Sequence, residues 1–183
     1  MPLLPIEPHR FRRYKAELVE AFTRHASRVL EVGCGLRLYE GYCRSLEYVG
    51  VDVDASVSPN ILADAVRLPF RDSCFEGIIM LDSLEHVADA EAALRECARV
   101  LKDGGRLLIT TPNTRGFGLY DSFADRTHIH HFNWSSIEGM LRRNGLRVER
   151  RIPLHLHIFW PLRLLRSPLL VPLQQSICLV ARR

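Results

Sequence analysis

The sequence predicts an α/β fold in which a mostly parallel sheet is covered by helices on both faces. Six short apolar stretches have strand character, near residues 29–32, 48–51, 77–81, 106–110, 146–150 and 176–181. Segments with helical periodicity fall between several of them. This alternation is typical of parallel strands joined by crossover helices.

The predicted helices are marked by apolar spacing and by residues that start or end helices. The first has residues of one face at every third or fourth position: Tyr14, Leu18, Phe22 and His25. A second repeats this spacing within residues 94–101, and Gly104 is its expected C-terminal cap. A third is expected to start with a capping box of Ser135 and Glu138 and to end at Gly145.

A glycine turn and a later acid indicate a nucleotide-type site. Gly33-Cys34-Gly35 follows the first strand, where a glycine turn lets the backbone approach a ligand and a following helix would direct its dipole at an anionic group. Asp52 ends the second strand, twenty-one residues after Glu31, as expected when one crossover helix joins neighbouring parallel strands. A carboxylate at that position can accept both hydroxyls of a ribose.

The turn departs from the dinucleotide fingerprint in a way that favours a different ligand. The third glycine of G-x-G-x-x-G is absent, because Leu36, Arg37 and Leu38 follow Gly35. Glu31 lies two residues before the turn and would repel a pyrophosphate but attract an ammonium group. We therefore expect a ligand that carries an amine and a ribose.

These features resemble the class I S-adenosylmethionine-dependent methyltransferases, in their type-11-like branch. The resemblance covers roughly residues 28–150. Further segments carry it in the family's order: Asp64-Ala65, Leu68-Pro69-Phe70, Phe75 to Ile79, Leu84-Glu85-His86-Val87, Leu101 to Leu107 and Thr111-Pro112-Asn113. It implies a three-layer Rossmann-like sandwich with an antiparallel last strand, S-adenosylmethionine as cofactor, and methyl transfer by in-line displacement at the sulfonium.

The resemblance also assigns cofactor-binding residues. They are Glu31, Gly33, Cys34, Gly35, Arg37, Asp52, Val53, Asp64, Ala65 and Leu81. It implies that Glu31 lies near the methionine end, that Asp52 binds the ribose and that Asp64 contacts the adenine amine. Arg37 stands where the family usually has glycine, and either pairs with the methionine carboxylate, which we favour, or crowds the site. Only twelve residues separate Asp52 from Asp64, so a turn is expected in place of the second crossover helix.

A cluster of histidines precedes the third predicted helix. Thr127 to Phe132 resembles a family segment near the substrate mouth, and His130 or His131 is a candidate general base because imidazole titrates near neutrality. Metal binding and hydrogen bonding within the loop are the alternatives, and we expect no metal site. His86 is expected to position other groups.

The segment from Pro153 to Pro172 departs from the compact pattern because it is strongly apolar and interrupted by prolines. It has too many prolines and central arginines for a membrane span. It is either a flap that covers an apolar acceptor or lies on a bilayer, or a segment that packs at the sheet edge or in a homodimer contact. The acceptor is expected to be small, with a hydrophobic or lipid-linked molecule favoured.

Composition fits one domain over residues 1–183. The chain is 47% hydrophobic and has a formal net charge of +4, and its five cysteines form no C-x-x-C pair. We expect a cytoplasmic protein without a nucleic-acid partner, with peripheral membrane contact through residues 153–172 as an open alternative. A non-catalytic adaptor that uses this segment, and a nicotinamide-dependent oxidoreductase, are the other function classes considered.

Overall fold

The computed structural model describes residues 8–115, 123–153 and 168–183. Three α-helices are described from end to end: α1 (Pro8–Thr23), α2 (Ala90–Val100) and α3 (Trp134–Arg143). Residues 123–124 are also helical. The strands are β1 (Arg28–Val32), β2 (Glu47–Asp52), β3 (Ile61–Leu62), β4 (Phe75–Leu81), β5 (Leu101–Pro112), β6 (Arg147–Arg151) and β7 (Ser176–Arg182). None of the helices in the described residues is long and apolar enough to cross a membrane.

The strands form one mixed sheet in the order β3-β2-β1-β4-β5-β7-β6. The neighbours from β3 to β5 pair in parallel, whereas β7 runs antiparallel to both β5 and β6. The predicted α/β class and the antiparallel last strand are therefore confirmed. Strand β3 was not predicted, because two residues are too few to show a periodicity.

Both faces of the sheet are buried, as the three-layer prediction requires. Successive strand residues alternate between two core clusters, so Leu30 and Ile78 lie on one face while Val29 and Ile79 lie on the other. Helices α2 and α3 cover the first face, and α1 covers the second. Among the helices described from end to end, two cover one face and one covers the other.

Two of the predicted helix ends are wrong in their details. Helix α2 ends at Val100, and the next residue is already extended, so Gly104 lies within β5 rather than at a helix cap. The N-cap of α3 is Asn133, whose side chain and that of Ser136 form the capping box. Asn133 can cap this helix because its side-chain oxygen accepts a hydrogen bond from a free N–H group of the first turn, as a serine hydroxyl would. Gly145 has a φ of +77° just after α3, consistent with its predicted place.

The predicted crossover helix between β1 and β2 is absent. Residues 33–46, all of them described, form a series of turns and one 3-10 turn at Glu40–Tyr42. Arg37 has a φ of +53°, which takes the backbone out of the helical region, and Leu36 is 69% exposed, so it contributes no burial that would stabilise a helix. A helix dipole therefore does not act at the glycine turn. The second crossover is only a 3-10 turn at Ala55–Val57, as predicted.

The glycine turn lies extremely close to the segment that follows β4. A Cβ atom built on Gly33 would lie 2.4 Å from Cβ of Ser83, and Gly33 has a φ of +72°. The hydroxyl of Ser83 donates a 3.0 Å hydrogen bond to the carbonyl of Val32. Gly35 also has a positive φ, of +47°, but a Cβ there would meet nothing within 4 Å. Of these two glycines, only Gly33 combines a left-handed backbone with a lack of space.

We expect Gly33→Ala to destabilise the fold more than Gly35→Ala. Each change forces alanine into the left-handed region, at a cost of about 1–2 kcal/mol. Gly33→Ala adds the overlap with Ser83, and overpacking of this kind costs about 1–3 kcal/mol. Chemical denaturation of both variants without ligand measures the difference, and equal losses would show that the contact with Ser83 relaxes freely.

Candidate functional site

A cavity of about 510 Å³ opens at the carboxyl ends of β1, β2 and β4. In a parallel sheet this edge is where ligands bind, because the loops that leave the strands meet there. Its polar lining side chains are Asp52, Asp64, Asp82, Ser83, His86 and Asp89. Its apolar lining includes Val53, Ala65, Val66, Met80 and Val87. The cavity thus combines acidic groups with an apolar wall.

The structure brings six of the ten predicted cofactor residues to this cavity. The lining includes Gly33, Gly35, Asp52, Val53, Asp64 and Ala65. The other four are not among its lining residues: Glu31, Cys34, Arg37 and Leu81. The assignments of all ten stay predictions, but the first group has the required position.

Asp52 holds the glycine turn against the end of β2. Its Oδ2 atom accepts a 2.8 Å hydrogen bond from the amide of Gly35, and its Oδ1 atom accepts one of 3.0 Å from the amide of Asp54. An ionised carboxylate has about four lone-pair sites, so each oxygen retains capacity for a ligand hydroxyl. The residue that would bind a ribose therefore also orients the turn beside it.

Asp64 follows β3 and is exposed at the cavity. Its Oδ1 atom accepts a 3.1 Å hydrogen bond from the amide of Val66, which fixes the local turn as an Asx-turn does. The amide of Ala63 donates to the carbonyl of Asp52, so the two acids are tied together through the backbone. This pairing places both carboxylates along one wall.

Glu31 does not line the cavity, and its position in β1 puts it on the same face of the sheet as Val29, the face that α1 covers. It is 2% exposed and accepts a hydrogen bond from the hydroxyl of Tyr48. Burial raises the pKa of Glu31 to about 7, although the hydrogen bond from Tyr48 acts in the opposite direction. Near neutral pH this carboxyl is therefore close to half protonated, and its attraction for an ammonium group depends on pH.

Arg37 pairs with Glu40 rather than facing the cavity. The shortest distance between their charged groups is 3.3 Å, and Arg37 has a φ of +53°. A left-handed backbone at this position explains why the family usually has glycine there. The arginine of this chain adopts the same backbone conformation with strain. Cys34 is also buried near this turn, and burial raises the pKa of its thiol to about 12.

The sequence did not indicate the group formed by Asp82 and Lys15. Lys15 extends from α1, is 3% exposed, and donates to Oδ2 of Asp82, while Thr110 donates a 2.8 Å hydrogen bond to Oδ1. Burial lowers the pKa of Lys15 to about 8. A lysine on a helix face gives no signal of this kind, because its acidic partner is 67 residues away. The pair adjoins the cavity, because Asp82 is one of its lining residues.

The candidate bases His130 and His131 lie outside the cavity lining. Nε2 of His130 is 2.9 Å from the carbonyl of Val87. A carbonyl only accepts, so Nε2 carries the proton and the contact anchors the loop. His131 is exposed and stacks on Phe123, with 4.0 Å between the ring centroids. His86 lines the cavity, and its expected positioning role stays a prediction.

A sheet of this order, with a glycine turn and two strand-end acids around one cavity, defines a Rossmann-like methyltransferase domain. Residues 6–150 match the family described as a methyltransferase domain. Because this match covers most of the chain, the protein belongs to that family.

Three comparisons place the chain among known proteins. It is 32% identical over 130 residues to a "Probable S-adenosylmethionine-dependent methyltransferase" of Mycobacterium tuberculosis. The matched region covers 62% of this chain and 46% of that relative. It is 49% identical over 51 residues to a demethylmenaquinone methyltransferase of Mycobacterium bovis, over 28% of this chain and 22% of the other. A crystal structure of a SAM-dependent methyltransferase from Archaeoglobus fulgidus has a TM-score of 0.74 at 20% identity, covering 96% and 92% of the chains. At that identity the structure shows the fold alone.

The chain spans about half the length of these curated mycobacterial relatives. Membership in the family makes S-adenosylmethionine its cofactor. The cavity fits this group, because Asp52 retains lone pairs for the ribose hydroxyls and Gly35 leaves the space beside it open. The apolar wall suits the adenine ring.

We expect Glu31→Gln to stabilise the fold at high pH but not at low pH. Between about pH 4.5 and 7, folded wild type holds a proton on Glu31 that the unfolded chain releases, so its stability falls as pH rises through this window. At about pH 8 the variant should gain on the order of 2–3 kcal/mol over wild type, since one pKa unit corresponds to about 1.4 kcal/mol. Chemical denaturation of the ligand-free protein at several pH values measures this.

The matched control is Glu17→Gln, whose side chain is 58% exposed on α1. Its stability difference from wild type should stay nearly constant between about pH 4 and pH 8. A Glu31→Gln difference that is equally flat would show that the Glu31 carboxyl titrates normally.

Proposed function

We propose that this chain transfers a methyl group from S-adenosylmethionine to a small, apolar acceptor. The observation that carries the proposal is the position of Asp52, which lines the cavity beside the glycine turn and keeps lone pairs on both oxygens. When bound, S-adenosylmethionine supplies a methyl group on a positively charged sulfur. The protein's own contribution is then to align the acceptor and exclude water.

The residues that line the cavity would divide this work. Asp52 and Asp64 would hold the ribose and the adenine amine, and Val53 and Ala65 would pack on the adenine ring. Ser83 and His86 also line the cavity and would face the acceptor. An acceptor oxygen needs to lose a proton, whereas a nitrogen or thiolate acceptor needs only alignment.

Two observations support an apolar acceptor. The cavity has a larger apolar than polar lining, with Met80, Val66 and Val87 among its walls. A relative that matches part of the chain is named a demethylmenaquinone methyltransferase, and such a quinone is apolar. The segment from Pro153 to Pro172 is proposed to cover the acceptor, although residues 154–167 lie outside the described chain.

The described end of this segment is anchored to the fold. The indole N–H of Trp134 donates a 3.1 Å hydrogen bond to the carbonyl of Val171, which is 5% exposed. The side-chain amide of Asn113 donates one of 3.1 Å to the carbonyl of Pro172. A cover over the acceptor would therefore be fixed at this end, beside α3 and the end of β5.

We expect Asp52→Ala to weaken S-adenosylmethionine binding by roughly ten- to a hundredfold. Loss of hydrogen bonds to a charged group costs about 1.5–3 kcal/mol, and each 1.4 kcal/mol is tenfold in affinity. Isothermal titration calorimetry with S-adenosylmethionine, its demethylated product and NAD measures the effect and separates a methyltransferase from an oxidoreductase. Circular dichroism checks that the variant folds.

Asp54→Ala is the control, because Asp54 is exposed, follows Asp52 by two residues and does not line the cavity. Its dissociation constant should match that of wild type. Tight binding of NAD without binding of S-adenosylmethionine would contradict the proposed function, and an unchanged affinity of folded Asp52→Ala would remove Asp52 from the site.

We expect serine at Phe159, Trp160 and Leu164 to abolish turnover of an apolar acceptor while cofactor affinity stays within about threefold. Each large apolar side chain buried against an acceptor contributes about 1.5–3 kcal/mol, whereas the cofactor's groups bind at the sheet edge. Methyl transfer to a quinol and calorimetry with the cofactor give the two readouts. Leu46→Ser, at a residue that is 92% exposed, is the control for loss of surface apolar area. Parallel loss of both activities would show a structural role instead.

A further inference from the structure

Three side chains with metal-binding groups converge at the edge of the cavity. They are Glu85, His86 and His128, and one donor atom of each lies within 4.8 Å of the other two. The rings of His86 and His128 have centroids 4.9 Å apart. Forty-two residues separate the two histidines, so the sequence showed no ligand spacing.

Glu85 is buried beside the two histidines. It is 1% exposed, and within the described residues its carboxylate oxygens make no hydrogen bond of standard geometry. Burial raises the pKa of Glu85, whereas hydrogen bonding to its own backbone and to the Thr111 hydroxyl, and then the charges of His128 and Lys15, lower it. A carboxylate buried with so little hydrogen bonding is costly, and a bound ion would offset that cost.

The histidines are held in place by contacts around them. The carbonyl of Glu85 accepts hydrogen bonds from the amides of Ile129 (2.8 Å) and His130 (3.1 Å). These bonds hold residues 127–132, the histidine loop, against the 3-10 turn that carries Glu85 and His86. Nδ1 of His86 is 3.1 Å from the carbonyl of Thr127. That carbonyl can only accept, so Nδ1 carries the proton and Nε2 has the free lone pair. Such a carbonyl contact is typical of metal-binding histidines.

We propose that Glu85, His86 and His128 bind a divalent transition-metal ion. Two imidazoles and one carboxylate suit zinc and its neighbours in the first transition row, and leave coordination positions open for water or a substrate oxygen. Donor atoms around a tetrahedral zinc ion lie about 3–4 Å apart. His86 is exposed, so its ring can shift by this small amount while Nδ1 keeps its contact with the carbonyl of Thr127.

The surrounding charges are compatible with a cation. Asp82 and Asp89 line the same cavity, and Asp125 lies 3.7 Å from the His128 ring. Lys15 opposes a cation, but its ammonium is paired with Asp82. Of these neighbouring charged groups, three are acids and one is a lysine.

The ion would also specify the acceptor, an extension that rests on the proposed function. His86 lines the cavity, so an open coordination position there faces the acceptor side. An acceptor hydroxyl bound at that position loses its proton to water more readily. Methyl transfer then forms a C–O bond as the sulfonium C–S bond breaks, with its electron pair left on sulfur. The site thus favours an acceptor that carries a hydroxyl group.

Metal binding tests the proposal without any activity assay. Chelator-treated protein without a histidine tag is titrated with Zn²⁺ in a calorimeter, and Co²⁺ is added separately to follow its visible absorption. We expect one ion per chain, and an intense visible band with Co²⁺. Glu85→Gln and His86→Gln should each weaken Zn²⁺ binding by about a hundredfold or more, beyond the roughly 10–100-fold lost when only outer-sphere partners change.

The control is His25→Gln, which removes an exposed histidine just after α1 and should bind Zn²⁺ like wild type. Thermal unfolding separates a folding defect from a lost ligand: Zn²⁺ should raise the Tm of wild type and His25→Gln but not of the other two. His86 is exposed, so His86→Gln keeps the test valid if Glu85→Gln fails to fold.

Absence of Zn²⁺ binding by wild type would overturn the proposal, and so would unchanged binding by folded Glu85→Gln and His86→Gln. Titration of S-adenosylmethionine into the metal-free protein is the separate check on the proposed function. If the cofactor fails to bind while Zn²⁺ binds, the metal site stands and the proposed function falls. If the reverse holds, only the metal site falls.

Discussion

The close contact between the ends of β1 and β4 is the constraint on which the rest of the site depends. Gly33 has no room for a side chain, because Ser83 fills the space where a Cβ atom would lie. The amides of Gly33 and Cys34 donate to the carbonyl of Val51, and the Ser83 hydroxyl donates to the carbonyl of Val32. Three strand ends are thereby joined at one point, and the cavity forms around it.

Several acidic side chains lie at or near this edge, and each has different bonding partners. Asp52 is satisfied by backbone amides, Asp82 by Lys15 and Thr110, and Glu31 by the hydroxyl of Tyr48. Glu85 differs from the other three, because it is buried and its carboxylate makes no hydrogen bond of standard geometry within the described residues. The same sheet edge thus provides a hydrogen-bonding acid for a ligand, an acid paired with a buried lysine, a carboxyl with a raised pKa and a candidate metal ligand.

The fold and half of the site followed from local patterns. Strand positions such as 29–32 and 77–81 were predictable because alternate residues of a buried strand are apolar on both faces. Asp52 was predictable because an acid at a strand end stands at the sheet edge whatever the crossover does. The crossover itself was mispredicted, since Gly33 to Asp52 has the length of a helix connection. In the folded chain Arg37 adopts a left-handed backbone and Leu36 and Leu46 stay exposed, so no helix forms there.

The sequence by itself determined the sheet, the position of the glycine turn and the strand-end acids, because these depend on periodicity and on neighbours along the chain. Only the tertiary structure decided that Glu31 lies under α1, that Lys15 meets Asp82, and that His128 meets Glu85 and His86. Each of these pairings joins residues far apart in sequence, and its geometry is set by how α1 and the histidine loop pack on the sheet. Burial then changes the chemistry of the side chains, as the raised pKa of Glu31 and the lowered pKa of Lys15 show, and burial is a property of the folded chain alone.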